Sequence, residues 1–218
     1  MKKENAFFKY VGVICIPTYV VFTFVSHLFN TRINPLNNWL SDFGNPVINP
    51  SGAWIYNIGC IIVAVLLAAF FIGICQWYRN RLIGRKYVIC YLCAQISGTI
   101  SSVFLVLASI FPLGTHTGLH STFGLCHMIG TDCFMDFTAI AFWMNPGMKK
   151  WIGVFAFLIA FFNIIATNAF SALYIAEWVY FLLFMIYVVI ITLNYDYLTQ
   201  HEKSTCNQNA GGTAEISS

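Results

Sequence analysis

The chain has 218 residues, 59% of them hydrophobic and only 9% charged, with 21 phenylalanines. Soluble domains carry about 25% charged residues, so this composition excludes a globule solvated on all sides and makes lipid the solvent for most of the chain. The net charge of +3 is small and, as the loops show, one-sided, which argues against a nucleic-acid partner.

A bilayer core about 30 Å thick is crossed by roughly 20 apolar residues of helix. Six stretches qualify, at about 8–29, 53–77, 87–112, 121–144, 151–170 and 174–195. Lys2 and Lys3 precede the first as they would a signal peptide, but its length and the lack of a small-x-small cleavage site predict a retained anchor. The 30–52 segment that follows contains Asn45-Pro46, Asn49-Pro50 and Gly52 and predicts an irregular loop, the longest connection in the chain. Function outside the bilayer is expected there. On the third helix, Ser97, Gly98, Ser101 and Ser102 predict a seam where a neighbouring backbone approaches closely. After the sixth helix, the tail 199–218 is rich in Asn, Gly, Ser and Thr and is expected to be disordered. No internal repeat or second domain is present.

The loops set the orientation. Lys2, Lys3 and Lys9 precede the first helix, Arg79, Arg81, Arg85 and Lys86 join the second to the third, Lys149 and Lys150 join the fourth to the fifth, and Lys203 follows the sixth. Arg32 alone lies on the opposite side, so the positive-inside rule places both termini in the cytoplasm. Trp54 and Trp178 then mark the outer boundary, and Trp77, Trp143 and Trp151 the inner one. Seven of the eight cysteines lie in apolar runs, where Cys90 and Cys93 read as small buried hydrophobes and no disulfide framework is expected. The expectation is an all-α, polytopic transmembrane six-helix bundle in a cell (cytoplasmic) membrane.

Ionisable side chains cost at least about 2.5–3.5 kcal/mol at the centre of a membrane helix, so each requires a partner. The fourth helix carries Asp132 and Asp136, one turn apart on one face. Counted from Trp143 at about 1.5 Å per residue, they lie about 16 Å and 10 Å above the inner boundary. Asn163, counted from Trp151, comes to about 18 Å, and Gln95, counted from Tyr87, to about 12 Å. Matching levels pair Asp132 with Asn163 and Asp136 with Gln95. The four would form either a hydrogen-bonded latch, one or both acids protonated by desolvation, or a proton or ion relay.

Four of the five histidines fall toward the outer side: His27 ends the first helix, and His116, His120 and His127 surround the start of the fourth. Their spacing places the last three within about 40° on a helical wheel. His116 and His120 could share one zinc ion, with Asp42 and His27 completing its shell. His127 lies about 10 Å deeper than His120, too far to join them. The competing reading has neutral histidines bonded to loop carbonyls or lipid head groups, with His127 buried and satisfied. Glu177 opens the last helix, where the helix dipole favours a carboxylate. It could answer His27, His120 or Arg32. No G-x-S-x-G elbow, P-loop or HExxH occurs.

The run Ser41-Asp42-Phe43-Gly44-Asn45-Pro46, then Asn49-Pro50, then Asn57 before Gly59, resembles the first external loop of a group of small membrane proteins. The group includes the family catalogued as domain of unknown function 998 and the Frag/DRAM/Sfk-type proteins. Phe111-Pro112 followed by His120 is similar to the helix three-to-four turn of the former family, and Glu177-Trp178 resembles the acid–Trp pair of DRAM-type members. His116 and His127 fall outside that pattern. The resemblance implies a six-helix bundle with function at the outer face; its better-known relatives affect lipid remodelling, lipid or sterol distribution, or autophagy. It implies no particular reaction. Three functions follow as expectations. The first is binding or organising membrane lipid through a polar pocket of Asp42, Asn45, Asn57, His120 and Glu177. The second is metal-dependent hydrolysis of a lipid amide or ester at His116, His120 and Asp42. The third is proton-coupled transport through Asp132 and Asp136, against which the absence of an inverted repeat argues.

Overall fold

The computed structural model describes residues 6–78, 85–145, 148–169 and 174–194. Lys2, Lys3, Arg79, Arg81, Lys203 and the tail 199–218 lie outside the described residues, as do the side chains of Lys9 and Trp77. The elements are α1 (Ala6–His27), a 3-10 turn (Leu40–Gly44), α2 (Ala53–Gly73), the one-turn α3 (Cys75–Tyr78), α4 (Arg85–Ile110), α5 (Thr117–Met144), α6 (Lys150–Ala169) and α7 (Tyr174–Leu193). No strand occurs among the described residues. Helices α1, α2, α4, α5 and α7 are each long and apolar enough to cross a bilayer, and α6 carries a shorter apolar run, Lys150–Ala166. The chain is an integral, multi-pass, all-α membrane protein.

Two helix boundaries depart from expectation. The second helix does not run unbroken to residue 77: the Ile74 N–H turns back to Phe71 O at 3.1 Å, and α3 begins afresh at Cys75. This tightened bond is of the 3-10 kind that ends a helical ladder. Helix α5 starts four residues before the expected 121, because the turn ahead of it is fixed by its own chemistry. Gly114 adopts φ +88°, which side chains disfavour, and its N–H donates to Thr117 Oγ1 at 3.2 Å. His116 is therefore the residue just before the helix, and His120 lies in its first turn.

The six long helices form a closed ring. Each packs on its neighbour in sequence, α2 against α4 across the short α3, and α7 returns to α1. The expected serine seam joins α4 to α5: a Cβ on Gly130 would stand 2.7 Å from Ser101 Cβ and 3.1 Å from Ser97 O, so only glycine permits this approach. Large apolar side chains such as Val65, Leu158, Phe161 and Leu182 face outward toward lipid. Ser101, Ser102 and Ser109 of α4, His127, Thr131 and Thr138 of α5 and Asn163 of α6 are buried, and α5 has a mean hydropathy of 1.2 against 2.6 for α2.

Aromatic side chains fill the ring. Phe71 meets Phe134 at a centroid distance of 4.7 Å, and Phe134 meets Tyr187 at 6.0 Å. Helices α5 and α7 run parallel and are bridged twice in the same register, by Thr131–Tyr180 and Thr138–Tyr187, both at 2.6 Å between hydroxyls. At the end away from the 28–52 loop, Lys150 Nζ donates to Phe142 O at 3.1 Å, to Asn145 O at 2.7 Å and to Trp143 O, closing the C-terminus of α5 with a cation.

Candidate functional site

The 28–52 loop is a packed plug over one end of the ring, and the asparagines and acids of its motif hold it together. Asp42 Oδ2 accepts from Trp39 N at 3.0 Å and from Asn38 Nδ2 at 3.4 Å, while its Oδ1 accepts from Asn45 Nδ2 at 3.4 Å. Asn49, wholly buried, donates to Ser26 Oγ at 2.9 Å and to Phe43 O at 3.1 Å, tying the end of α1 to the loop. Asn57 Nδ2 donates to Gly44 O at 2.9 Å, which fixes the loop on α2. Helix α7 supplies the remaining anchors. Glu177 Oε2 accepts from Leu40 N at 2.8 Å, Glu177 also bonds Ser41, and Trp178 Nε1 donates to Asn38 O at 3.0 Å. Glu177 therefore answers backbone N–H groups at the start of the 3-10 turn, where the turn's own donors lack partners.

Beneath this plug lies a cavity of about 80 Å³, space for several water molecules. Its polar lining is Ser41, Tyr56, Asn57, Ser109, His120, His127, Glu177 and Tyr180, supplied by the loop, α2, α4, α5 and α7. Among the described residues no Lys or Arg lines it. Of the five residues expected to share a pocket, Asn57, His120 and Glu177 line the cavity; Asp42, only 5% exposed, and Asn45 lie within the loop and stabilise it instead. The sequence reading missed Ser41, Tyr56, Ser109 and Tyr180 and did not connect His127 to the site. The parallel spacing of Thr131 and Thr138 with Tyr180 and Tyr187 was the available signal for Tyr180.

Both cavity histidines are fixed in one tautomer by their partners. His120 Nδ1 is 2.9 Å from Ala108 O and 3.2 Å from Phe111 O, and carbonyls only accept. The proton is therefore on Nδ1, which leaves a lone pair on Nε2. His127 Nδ1 is 3.1 Å from Ser101 O and 2.8 Å from Ser101 Oγ, and that hydroxyl gives its own proton to His127 O at 2.9 Å. Again Nδ1–H donates and Nε2 is the bare acceptor. His127 is only 5% exposed, and its Nε2 is sealed from solvent without a protein partner. A buried acceptor left so costs about 1–3 kcal/mol. The expectation of a fully satisfied His127 is thus corrected on one nitrogen.

The expected metal site does not assemble: among the described residues no three His, Cys, Asp or Glu side chains converge on a point that could hold an ion. His116 is exposed and bonds Thr115 Oγ1 at 3.1 Å, His120 is turned to carbonyls, Asp42 is used by the loop, and His27 packs edge-on to Phe43 with ring centroids 5.7 Å apart. Deeper in the ring, Asp132 Oδ2 accepts from Asn163 Nδ2 at 2.6 Å, the pair expected from their levels, and Asp132 Oδ1 accepts from Tyr180 OH at 2.9 Å. The expected Asp136–Gln95 pair does not form. Gln95 instead donates to Ile72 O at 3.1 Å and accepts from Tyr78 OH, because the break between α2 and α3 frees that carbonyl and brings Tyr78 within reach.

Across protein-family models, residues 13–194 match the family described as Protein of unknown function (DUF998). The chain belongs to this family. The matched span of the DUF998 chain contains the loop, the Phe111-Pro112 turn with His120, and Glu177-Trp178, so every residue that lines the cavity lies within it. No curated protein and no solved structure matches the chain, and the match does not reach the Frag/DRAM/Sfk-type proteins.

Proposed function

We propose that the protein binds the head group of a membrane lipid in the cavity beneath the 28–52 loop, and that it does so at the outer face of a cell (cytoplasmic) membrane. The observation that carries this reading is the placement of a polar cavity at the end of an otherwise aromatic-filled ring. Four of its polar lining residues come from near the helix ends (Asn57 near the start of α2, Ser109 near the end of α4, His120 in the first turn of α5, Glu177 in the first turn of α7), while His127 and Tyr180 form its deeper floor. Helix ends lie at the depth of lipid head groups. The ring's outward surface is apolar, which brings acyl chains alongside. At Gly124 the α5 wall is bare backbone with no atom within 4 Å of a Cβ position, so a head group meets no side chain there.

The test uses protein in nanodiscs made with a photoactivatable phospholipid carrying its reactive group beside the head group. Crosslinks are expected on peptides containing 53–60, 105–109 and 120–128, and are expected to disappear when Ala108→Trp fills the cavity. Labelling confined to outward-facing residues and unchanged by Ala108→Trp would overturn the reading.

A further inference from the structure

We propose that the bound head group donates a hydrogen bond to His127 Nε2, so that the ligand is an amphiphile ending in a primary ammonium or a hydroxyl and carrying no net negative charge. This rests on the head-group reading of the cavity. The ring of His127 cannot turn to seek a donor, because both Ser101 O and Ser101 Oγ hold Nδ1 in place. Its Nε2 is buried and meets no protein donor, and His127 lines the cavity, so a donor that reaches it comes from the cavity side, where a head group's N–H or O–H competes with water.

The rest of the lining selects the same chemistry. Asn57 has committed Nδ2 to Gly44 O, which leaves its Oδ1 to accept. His120 has committed Nδ1–H to two carbonyls, which leaves its Nε2 to accept. Ser109 Oγ gives its proton to Leu105 O at 2.8 Å and so presents lone pairs. Glu177 adds a carboxyl group, one oxygen of which is already held by Leu40 N. An exposed phosphate or carboxylate would meet acceptors here with no cation among the described lining residues to offset its desolvation. An N–H or O–H group would find acceptors at Asn57, Ser109, His120, His127 and Glu177.

The experiment uses the full chain with ring-15N histidine in phosphatidylcholine nanodiscs, a background whose head group has no N–H or O–H donor. Phosphatidylethanolamine, diacylglycerol and, as a free head group, ethanolamine are added separately. The His127 Nε2 resonance is expected to shift to its hydrogen-bonded position with at least one of the two donor lipids; a shift with free ethanolamine alone would place the ligand in solution and overturn the amphiphile. Photoactivatable analogues with ethanolamine or hydroxyl head groups should label His127→Phe about tenfold less than wild type, the loss of one hydrogen bond, while choline-headed label stays equal. An Nε2 resonance unmoved by either donor lipid in the wild-type protein overturns the inference even if the variant fails to fold. Cavity labelling by the choline probe with no movement at His127 sinks this inference alone, whereas no cavity labelling by any head group sinks the head-group reading itself.

Discussion

Asp132 sits where three helices meet, taking one bond from Asn163 on α6 and one from Tyr180 on α7, and Tyr180 also lines the cavity. Interhelical hydrogen bonds in membranes are worth about 0.6 kcal/mol on average and up to about 1.7. Tyr180→Phe should therefore destabilise the protein by about 1 kcal/mol, since Asn163 still serves the acid. Asn163→Leu should do the same. Together they leave Asp132 without a partner, so the double variant should lose more than the two single losses added. Unfolding in bicelles measures this, and losses additive within about 0.5 kcal/mol would refute a shared network. The Asp132–Asn163 pair was legible in the sequence because depth can be counted along two helices from their tryptophans. Gln95 was not, because its partners depend on a helix break inside an apolar run. Periodicity is blind to such a break: Gly73 and Gln76 flank Ile74, but a lone glycine and a lone amide are common inside membrane helices and do not by themselves mark an end.

The element that decides the site is the turn between α4 and α5. Gly114 at φ +88° lies against Asn45 of the loop, and the turn sets where His120 enters α5. Gly114→Ala would be strained by its backbone alone and would also press on Asn45 Oδ1. The expected cost is about 1–3 kcal/mol, and hydrogen exchange should speed up in 40–49 before any change appears in α2. Equal protection of that loop in both proteins would show that the turn does not position it. Sequence motifs located this loop correctly but assigned Asp42 and Asn45 to a pocket. Side-chain amides and acids in a Gly/Pro-rich stretch commonly bond their own backbone, and the sequence alone does not distinguish that duty from ligand binding. The histidines followed the same logic: spacing placed His116 and His120 one turn apart, but the partners of each ring were set by carbonyls that only the folded turn supplies.

For the molecule as a whole, composition sufficed to assign lipid as solvent and helices as the spanning elements. The ring order was less legible, since apolar helices carry weak directional signals when lipid and core are both apolar. The serine seam and the polar residues of α5 were the exceptions. Orientation is the prediction that belongs at this scale. In a cysteine-free background, Leu36→Cys, at a loop position 74% exposed, should react with a membrane-impermeant maleimide on intact cells. Lys149→Cys, between α5 and α6, should react only after permeabilisation. The reverse pattern would invert the molecule and place the cavity at the inner face.

The closure of α7 onto α1 has a consequence for how the chain is made. Asp132 enters the membrane on α5, whereas Asn163 follows it by 31 residues and Tyr180 by 48. At about 5–20 residues per second of synthesis, the acid waits roughly 2–10 s before its second partner emerges. Until then the half-made ring has no α7 wall, no anchor for the loop at Leu40 and no enclosed cavity. A chain stopped before residue 174 would leave Asp132 with Asn163 as its only interhelical partner and one carboxylate oxygen unserved where Tyr180 belongs. Helix α7 is thus the element that turns a row of insertable segments into a closed ring.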